Sequence, residues 1–383
     1  MKGEKKSSPY RTLVKLSIIL AVITLVCWVA VEGIGFYTKN ALDKKIADVE
    51  ATNEKLEKEY FAAKSTYESM TRTGQSQSWP EVPQEGVVML DLSAYPLENT
   101  TDYEVGREAL FEGGLMLVNH WHPLPNDAPK QTNNATINSV RHWTDGRVPI
   151  SSNAVHMYKA PAEAIDAMVI DAKLEGLEFY IVQSAFRSEA EQQKLFDDKV
   201  AAILKSKPNL SGNALTAEAT KSVNQPGTSE YQTALSADIK LYNKDDAKIT
   251  GTPFQESAQG KWFTENCWKK GLIFRFPTAN FPTPGTIDKS YKTGVSAKLN
   301  LYRYVGIAHS TAMRMLNMCL EEYIEYLIET PHFAIFDNGN LKYEVFRQPY
   351  EGGAASVQVP QAASRFVSSM DNMGGVITAY YYE

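Results

Sequence analysis

Between residues 226 and 239 the chain reads PGTSEYQTALSADI. Pro226 and Gly227 turn the chain, and Leu235 and Ala237 then alternate with Ser236 and Asp238, the pattern of a half-buried strand. Asp238 follows Tyr231 by seven residues and Ser229 by nine. A carboxylate fixed on a strand, with a phenol and a serine shortly before it, is a set that can bind or react. Upstream, in SAFRSEAEQQKLF, Arg187 stands at the end of an apolar run. It either pairs with a helix carboxylate or is left for an anionic ligand. Ser229 either caps the turn after Gly227 or contacts a ligand. The histidines are His120, His122, His142, His156, His309 and His332. The HWH spacing of His120 and His122 could put two imidazoles on one strand face. The blander reading, exposed or hydrogen-bonded histidines, is preferred, and His309 is read as structural.

The elements that must position these residues show in the hydrophobic periodicity. APAEAIDAMVIDAKLEG reads as a helix with Ile165, Met168, Val169 and Ala172 on its apolar face, ending at Gly176. EFYIVQS follows as a strand. Ser188 and Glu191 match a capping box that opens a second helix, with Leu195, Phe196, Val200 and Ile203 expected inward. WFTENCWKKG closes a helix at Gly271 before the strand LIFRF. HSTAMRMLNMCLEEYIEYLIE is helical with a break near Asn317. After Pro331 the texture becomes short alternating runs split by Asn-Gly and Gly-Gly turns, a small β appendage.

The chain has 383 residues and a net charge of −6 with both signs mixed. It has no basic stripe or recognition motif, so no nucleic-acid partner is expected. Cys27, Cys267 and Cys319 are far apart and are read as small buried apolar residues. LSIILAVITLVCWVAV, with apolar character resuming to Tyr37, is about 20 residues, enough to cross a bilayer as a helix. Lys2, Lys5, Lys6, Arg11 and Lys15 precede it, which keeps the tail cytoplasmic and the bulk of the chain extracellular. Leu42, Ile46, Val49, Asn53, Leu56, Tyr60, Ala63, Tyr67 and Met70 then trace a heptad seam. The seam is either a parallel coiled coil that would make a homodimer or a single stalk helix. Thr73 to Gly86 is polar with two prolines and reads as a linker.

Four stretches occur in order: LVNHWHPLP, SAFRSEAEQQKLF, PGTSEYQTALSADI, and WKKGLIFRFP followed by LYRYVG. Together they resemble the VanY-type D-alanyl-D-alanine carboxypeptidases, zinc enzymes that trim the peptidoglycan stem peptide. The resemblance spans roughly Val87 to Leu327. It implies an α+β fold with a hedgehog/DD-peptidase-type core. The expected plan is a cytoplasmic tail (1–15), a transmembrane helix (16–37), a coiled-coil stalk (41–73), a linker (74–86), the carboxypeptidase-like domain (87–327) and a small β-rich C-terminal region (328–383).

The resemblance also implies the site chemistry. Zinc would be held by the His of Ser-x-His, an Asp seven residues later, and the His of a Glu-x-x-His motif before Tyr-Arg-Tyr-Val-Gly, whose Glu is the base. An Arg and the Ser would hold the substrate's end. Carried over, Arg187, Ser188, Gln192 and Ser229 match the substrate-binding positions, and Asp238 keeps the carboxylate ligand. Tyr231 and Leu301 replace the ligand histidines, Lys298 replaces the base, and Ala234 replaces a common glycine. No cofactor is therefore expected, and zinc only if displaced ligands take over. The expected partner is a peptidoglycan stem peptide or a cell-envelope protein. In place of the metal, Lys298 is expected to pair with Asp238, with Tyr231 donating to the same carboxylate. Two further readings stay open: a working zinc carboxypeptidase, and a structural envelope scaffold with a vestigial cleft.

Overall fold

The structure is a computed structural model and describes residues 44–45, 86–295 and 298–383. The expected tail, membrane span, nearly all of the expected stalk and most of the expected linker lie outside the described residues. Among the described residues no helix is long and apolar enough to cross a membrane.

An antiparallel four-stranded sheet carries the centre, in the order Tyr180–Ser184, Ser236–Leu241, Leu301–Tyr304, Leu272–Phe274. Successive side chains of a strand point to opposite faces. Ala237 and Ile239 therefore enter the main core with Val182, Phe263, Phe274 and Tyr302, while Asp238 projects to the other side. Ile165, Met168 and Ala172 of the Lys159–Leu174 helix cover that core. The helix ends as its sequence requires, with Gly176 at φ +73 just beyond it, in the left-handed region that favours glycine.

Ser188 and Glu191 close both bonds of the capping box that opens the Glu189–Ser206 helix. Of the four residues expected inward on that helix, only Ile203 is buried; Leu195 is 40% exposed. The helix lies at the outside of the unit, packed against the short Gly212–Thr220 helix, so one narrow face is covered rather than a full stripe. Asn317, at φ +56, divides Ile307–Leu316 from Leu320–Glu329, the break its sequence position suggests.

A second sheet runs Val87–Asp91, His332–Asp337, Asn340–Pro349, Gly375–Tyr381, Arg365–Met370. Asn338 and Gly339 both have positive φ and form the tight hairpin turn within it. Thr100–Val105 pairs with Ala355–Pro360. Leu115 and Leu117 share a core with Tyr323, Phe333, Val345 and Ile377. Residues 328–383 thus share sheets and core with 87–117 and are not an appendage set apart. The period-two pattern identified the strands but could not show that an early strand, Val87–Asp91, completes their edge. Cys267 and Cys319 are buried free thiols, and burial pushes Cys267 up to about 12.

Candidate functional site

The strand register builds the site. Asp238 faces Ser184 on one neighbouring strand and Leu301 on the other. The Ser184 hydroxyl donates to Asp238 Oδ2 at 2.8 Å. Tyr231, on the short turn Glu230–Thr233, donates its hydroxyl to both Asp238 oxygens at 2.9 Å. Lys298 Nζ reaches Asp238 Oδ2 at 2.9 Å. The Asp238 carboxylate, 4% exposed as a residue, is thereby fully engaged. Burial, reinforced by that carboxylate, pushes the Tyr231 hydroxyl well above its ordinary range, so it stays a proton donor. Leu301 is completely buried against Tyr231 and Phe276, with Val295 packed on the same cluster. The Lys298–Asp238 pair expected from the sequence is present; Ser184 as a third partner was not foreseen. Only the pairing of two non-local strands brings it there.

Arg187 lies with its guanidinium 3.7 Å from the centre of the Tyr231 ring. Its backbone N–H donates to the Tyr231 carbonyl at 3.1 Å, and Nη1 makes a long bond of 3.4 Å to Gln192 Oε1. Gln192 is buried and anchored through Nε2 to the Asn224 carbonyl. Among the described residues Arg187 has no carboxylate partner, so the helix-pairing alternative does not apply. Ser188 spends its hydroxyl on the capping box, accepting from the Glu191 N–H and donating to its carboxylate. Ser229 is buried and makes no cap bond to the turn that follows. Arg187, Tyr231, Asp238 and Lys298 therefore converge; Ser188 and Gln192 support them from behind.

Beneath this cluster is a buried charge network that the sequence did not reveal. Arg275 Nε donates to Glu230 Oε2 at 2.8 Å, and its two terminal nitrogens hold Glu321 at 2.9 and 2.8 Å. Arg303 bonds Glu230 and the carbonyls of Gly114 and Met116. Burial alone would raise the Glu230 carboxyl, but the Arg303 and Arg275 guanidiniums outweigh it and hold it at about 2. Because Glu230 precedes Tyr231, this network fixes the turn that carries the phenol. Asn119 extends it: its side chain donates to Glu321 and accepts the N–H groups of Trp121 and His122. His120 and His122 accordingly sit in an anchored loop. His309 is buried, hydrogen-bonded to the Tyr323 hydroxyl at 2.9 Å.

The donor set does not fit the zinc ion that the sequence resemblance implies. Leu301 offers no lone pair, the Tyr231 hydroxyl is held protonated, and an ammonium already sits on the carboxylate, where it repels a divalent cation. Among the described residues no three His, Cys, Asp or Glu side chains are grouped to hold a metal.

The VanY family, described as D-alanyl-D-alanine carboxypeptidase, matches residues 154–306. A D-alanyl-D-alanine carboxypeptidase of Enterococcus faecium is 30% identical over 286 residues, 74% of this chain and 80% of that protein. A D-alanyl-D-alanine carboxypeptidase of Enterococcus faecalis is 34% identical over 234 residues, 60% of this chain and 72% of the relative. Among solved structures, the vancomycin-resistance D,D-dipeptidase VanXYg in complex with a D-Ala-D-Ala phosphinate analogue superimposes with a TM-score of 0.55. It is 21% identical and covers 74% of this chain and 99% of its own, a likeness of fold.

Proposed function

The chain belongs to the VanY family of D-alanyl-D-alanine carboxypeptidases, and from that premise we propose that it binds the C-terminal end of a peptidoglycan stem peptide without hydrolysing it. The observation that carries this reading is the state of Asp238, whose oxygens are taken up by Lys298, Tyr231 and Ser184. Metal-assisted amide hydrolysis needs a cation with an open position and a base to take the proton of its water. Here the position of the base holds Lys298, an ammonium donor. Arg187 supports retained binding: its planar fork suits a carboxylate, and it is stacked and oriented without a carboxylate of its own.

The test measures zinc content, D-alanine release and peptide binding on one sample of the full chain. Sub-stoichiometric zinc, no D-alanine released from a pentapeptide, and saturable binding weakened by Arg187→Met are expected. Release that a chelator abolishes would overturn the reading in favour of a working zinc carboxypeptidase. Absence of any peptide binding would favour the structural scaffold.

The reading extends to location. Residues 16–37 would anchor the protein in the cell membrane with the bulk outside, next to its ligand. The 41–73 seam would pair two copies, so a chain beginning at Lys39 should sediment as a dimer and one beginning at Val87 as a monomer. Equal monomeric sedimentation of both would leave only a stalk helix.

A further inference from the structure

We propose that Lys298 is a ligand-binding residue of this cleft as well as the counter-ion of Asp238: its ammonium holds a carbonyl oxygen of the bound peptide while Arg187 holds the terminal carboxylate. The inference rests on the peptide-binding reading and names the second contact that reading lacks.

Arg187 lies 3.7 Å from the centre of the Tyr231 ring and the Lys298 ammonium 5.8 Å from it. One carboxylate, Asp238, faces these two cations at the phenol hydroxyl. The neighbouring acid, Glu230, is turned into the Arg275–Arg303 network and neutralises neither of them. Among the described residues the cluster therefore carries one uncompensated positive charge. An ammonium has three N–H donors. One goes to Asp238, and the Lys298 side chain is 32% exposed against 6% for Asp238, so solvent reaches the lysine and not the acid. The guanidinium has five donors, and its one side-chain bond, to Gln192, is long. Two cations at one aromatic ring, both rich in unspent donors, call for an acceptor-rich anion. A peptide C-terminus has that chemistry: a carboxylate for the fork and, one unit upstream, a carbonyl for the ammonium.

The experiment is calorimetric titration of the full chain with a D-alanyl-D-alanine-terminated peptide as the free acid and as the C-terminal amide. Lys298→Met keeps the methylene stem and should weaken the free acid by about tenfold or more, the scale of a hydrogen bond to a charged group. Lys298→Arg should retain part of the affinity. Asp238→Asn releases the ammonium from its partner and should tighten binding more with Lys298 present than beside Lys298→Met, a coupling that a purely structural lysine would not produce. The double variant Lys298→Met, Asp238→Asn removes the counter-ion role altogether. It should still bind weakly even if it is as heat-stable as the native chain. Free-acid binding that survives Lys298→Met unchanged but is lost in Arg187→Met overturns this inference alone. No binding by the native chain overturns the reading beneath it.

Discussion

The Lys298 ammonium stands 2.9 Å from Asp238 Oδ2, a contact made across sixty residues of sequence. Breaking a fully buried ion pair costs about 3–5 kcal/mol. This pair is only half of that kind, because Lys298 is partly exposed while Asp238 is buried. Asp238 also keeps its bonds from Tyr231 and Ser184 when the lysine is removed. Lys298→Ala should therefore cost about 1–2 kcal/mol, the low end of a hydrogen bond to a charged group once solvent screening of the lysine is allowed for. Urea unfolding of the two single variants and the double variant with Asp238→Asn should give a coupling of similar size. Additive single effects would mean that the pair contributes nothing to stability.

The replaced positions converge on the same atoms, which gives a second expectation. Tyr231 and Lys298 both touch Asp238, and Leu301 faces it in register. The combined change Tyr231→His, Leu301→His and Lys298→Glu supplies two imidazoles around a retained carboxylate and removes the repelling cation. Zinc content should rise to near-stoichiometric in this variant and stay low in the native chain, as read by elemental analysis after dialysis. If the triple variant folds and stays zinc-free, the backbone frame has drifted as well as the side chains.

Much of this site was legible in the sequence because its signals are local. The Ser188–Glu191 capping box, the stop at Gly176, the break at Asn317 and the strand bearing Asp238 each follow from residues within a few positions of one another. The Lys298–Asp238 pair was legible for a different reason: the family resemblance puts Lys298 at the base position, facing a carboxylate that needs a counter-charge once the metal is gone. What stayed hidden depends on distant partners. Ser184 meets Asp238 only through strand register. Glu230, Arg275, Arg303 and Glu321 look like scattered surface charges until the fold buries them together. Leu195 fits an amphipathic stripe, but no pattern within a helix shows how much of that stripe a neighbour will cover.

His309 sets an expected pH dependence. It is buried, and burial pulls its pKa down to about 3 from an ordinary 6.5. The folded state holds the neutral imidazole, whereas the unfolded chain takes up a proton below about pH 6.5. The contribution is thus present above that value and is lost as pH falls towards about 3. Between about pH 7.5 and about pH 5 the loss should be on the order of 2 kcal/mol. His332 acts in the opposite sense: burial lowers its pKa, but Glu344 and the Tyr95 carbonyl raise it further. Native chain and His309→Gln must therefore be compared, and the variant should lose most of the decline in unfolding midpoint. An equal decline in both would show that His309 is not its source.

Arg275 carries the heaviest structural demand beneath the site. It is wholly inaccessible and spans two carboxylates, Glu230 at 2.8 Å and Glu321 through both terminal nitrogens. Among the described residues, Arg275→Met would leave Glu230 with Arg303 and Ser236, but Glu321 with only the Asn119 amide. Uncompensated charge in a dry interior costs about 3–5 kcal/mol, and a loss of that size is expected in chemical unfolding. Arg275→Lys should rescue little, because one compact ammonium cannot bridge two carboxylates as the planar fork does. Arg275→Met with Glu321→Leu should recover much of the loss, since it removes the stranded charge along with its partner. The consequence reaches the cleft, because Glu230 adjoins Tyr231 and Asn119 holds the Trp121 loop. Peptide affinity should therefore fall in Arg275→Met and return in the double variant. A single variant as stable as the native chain would mean that water reaches Glu321 in place of the guanidinium.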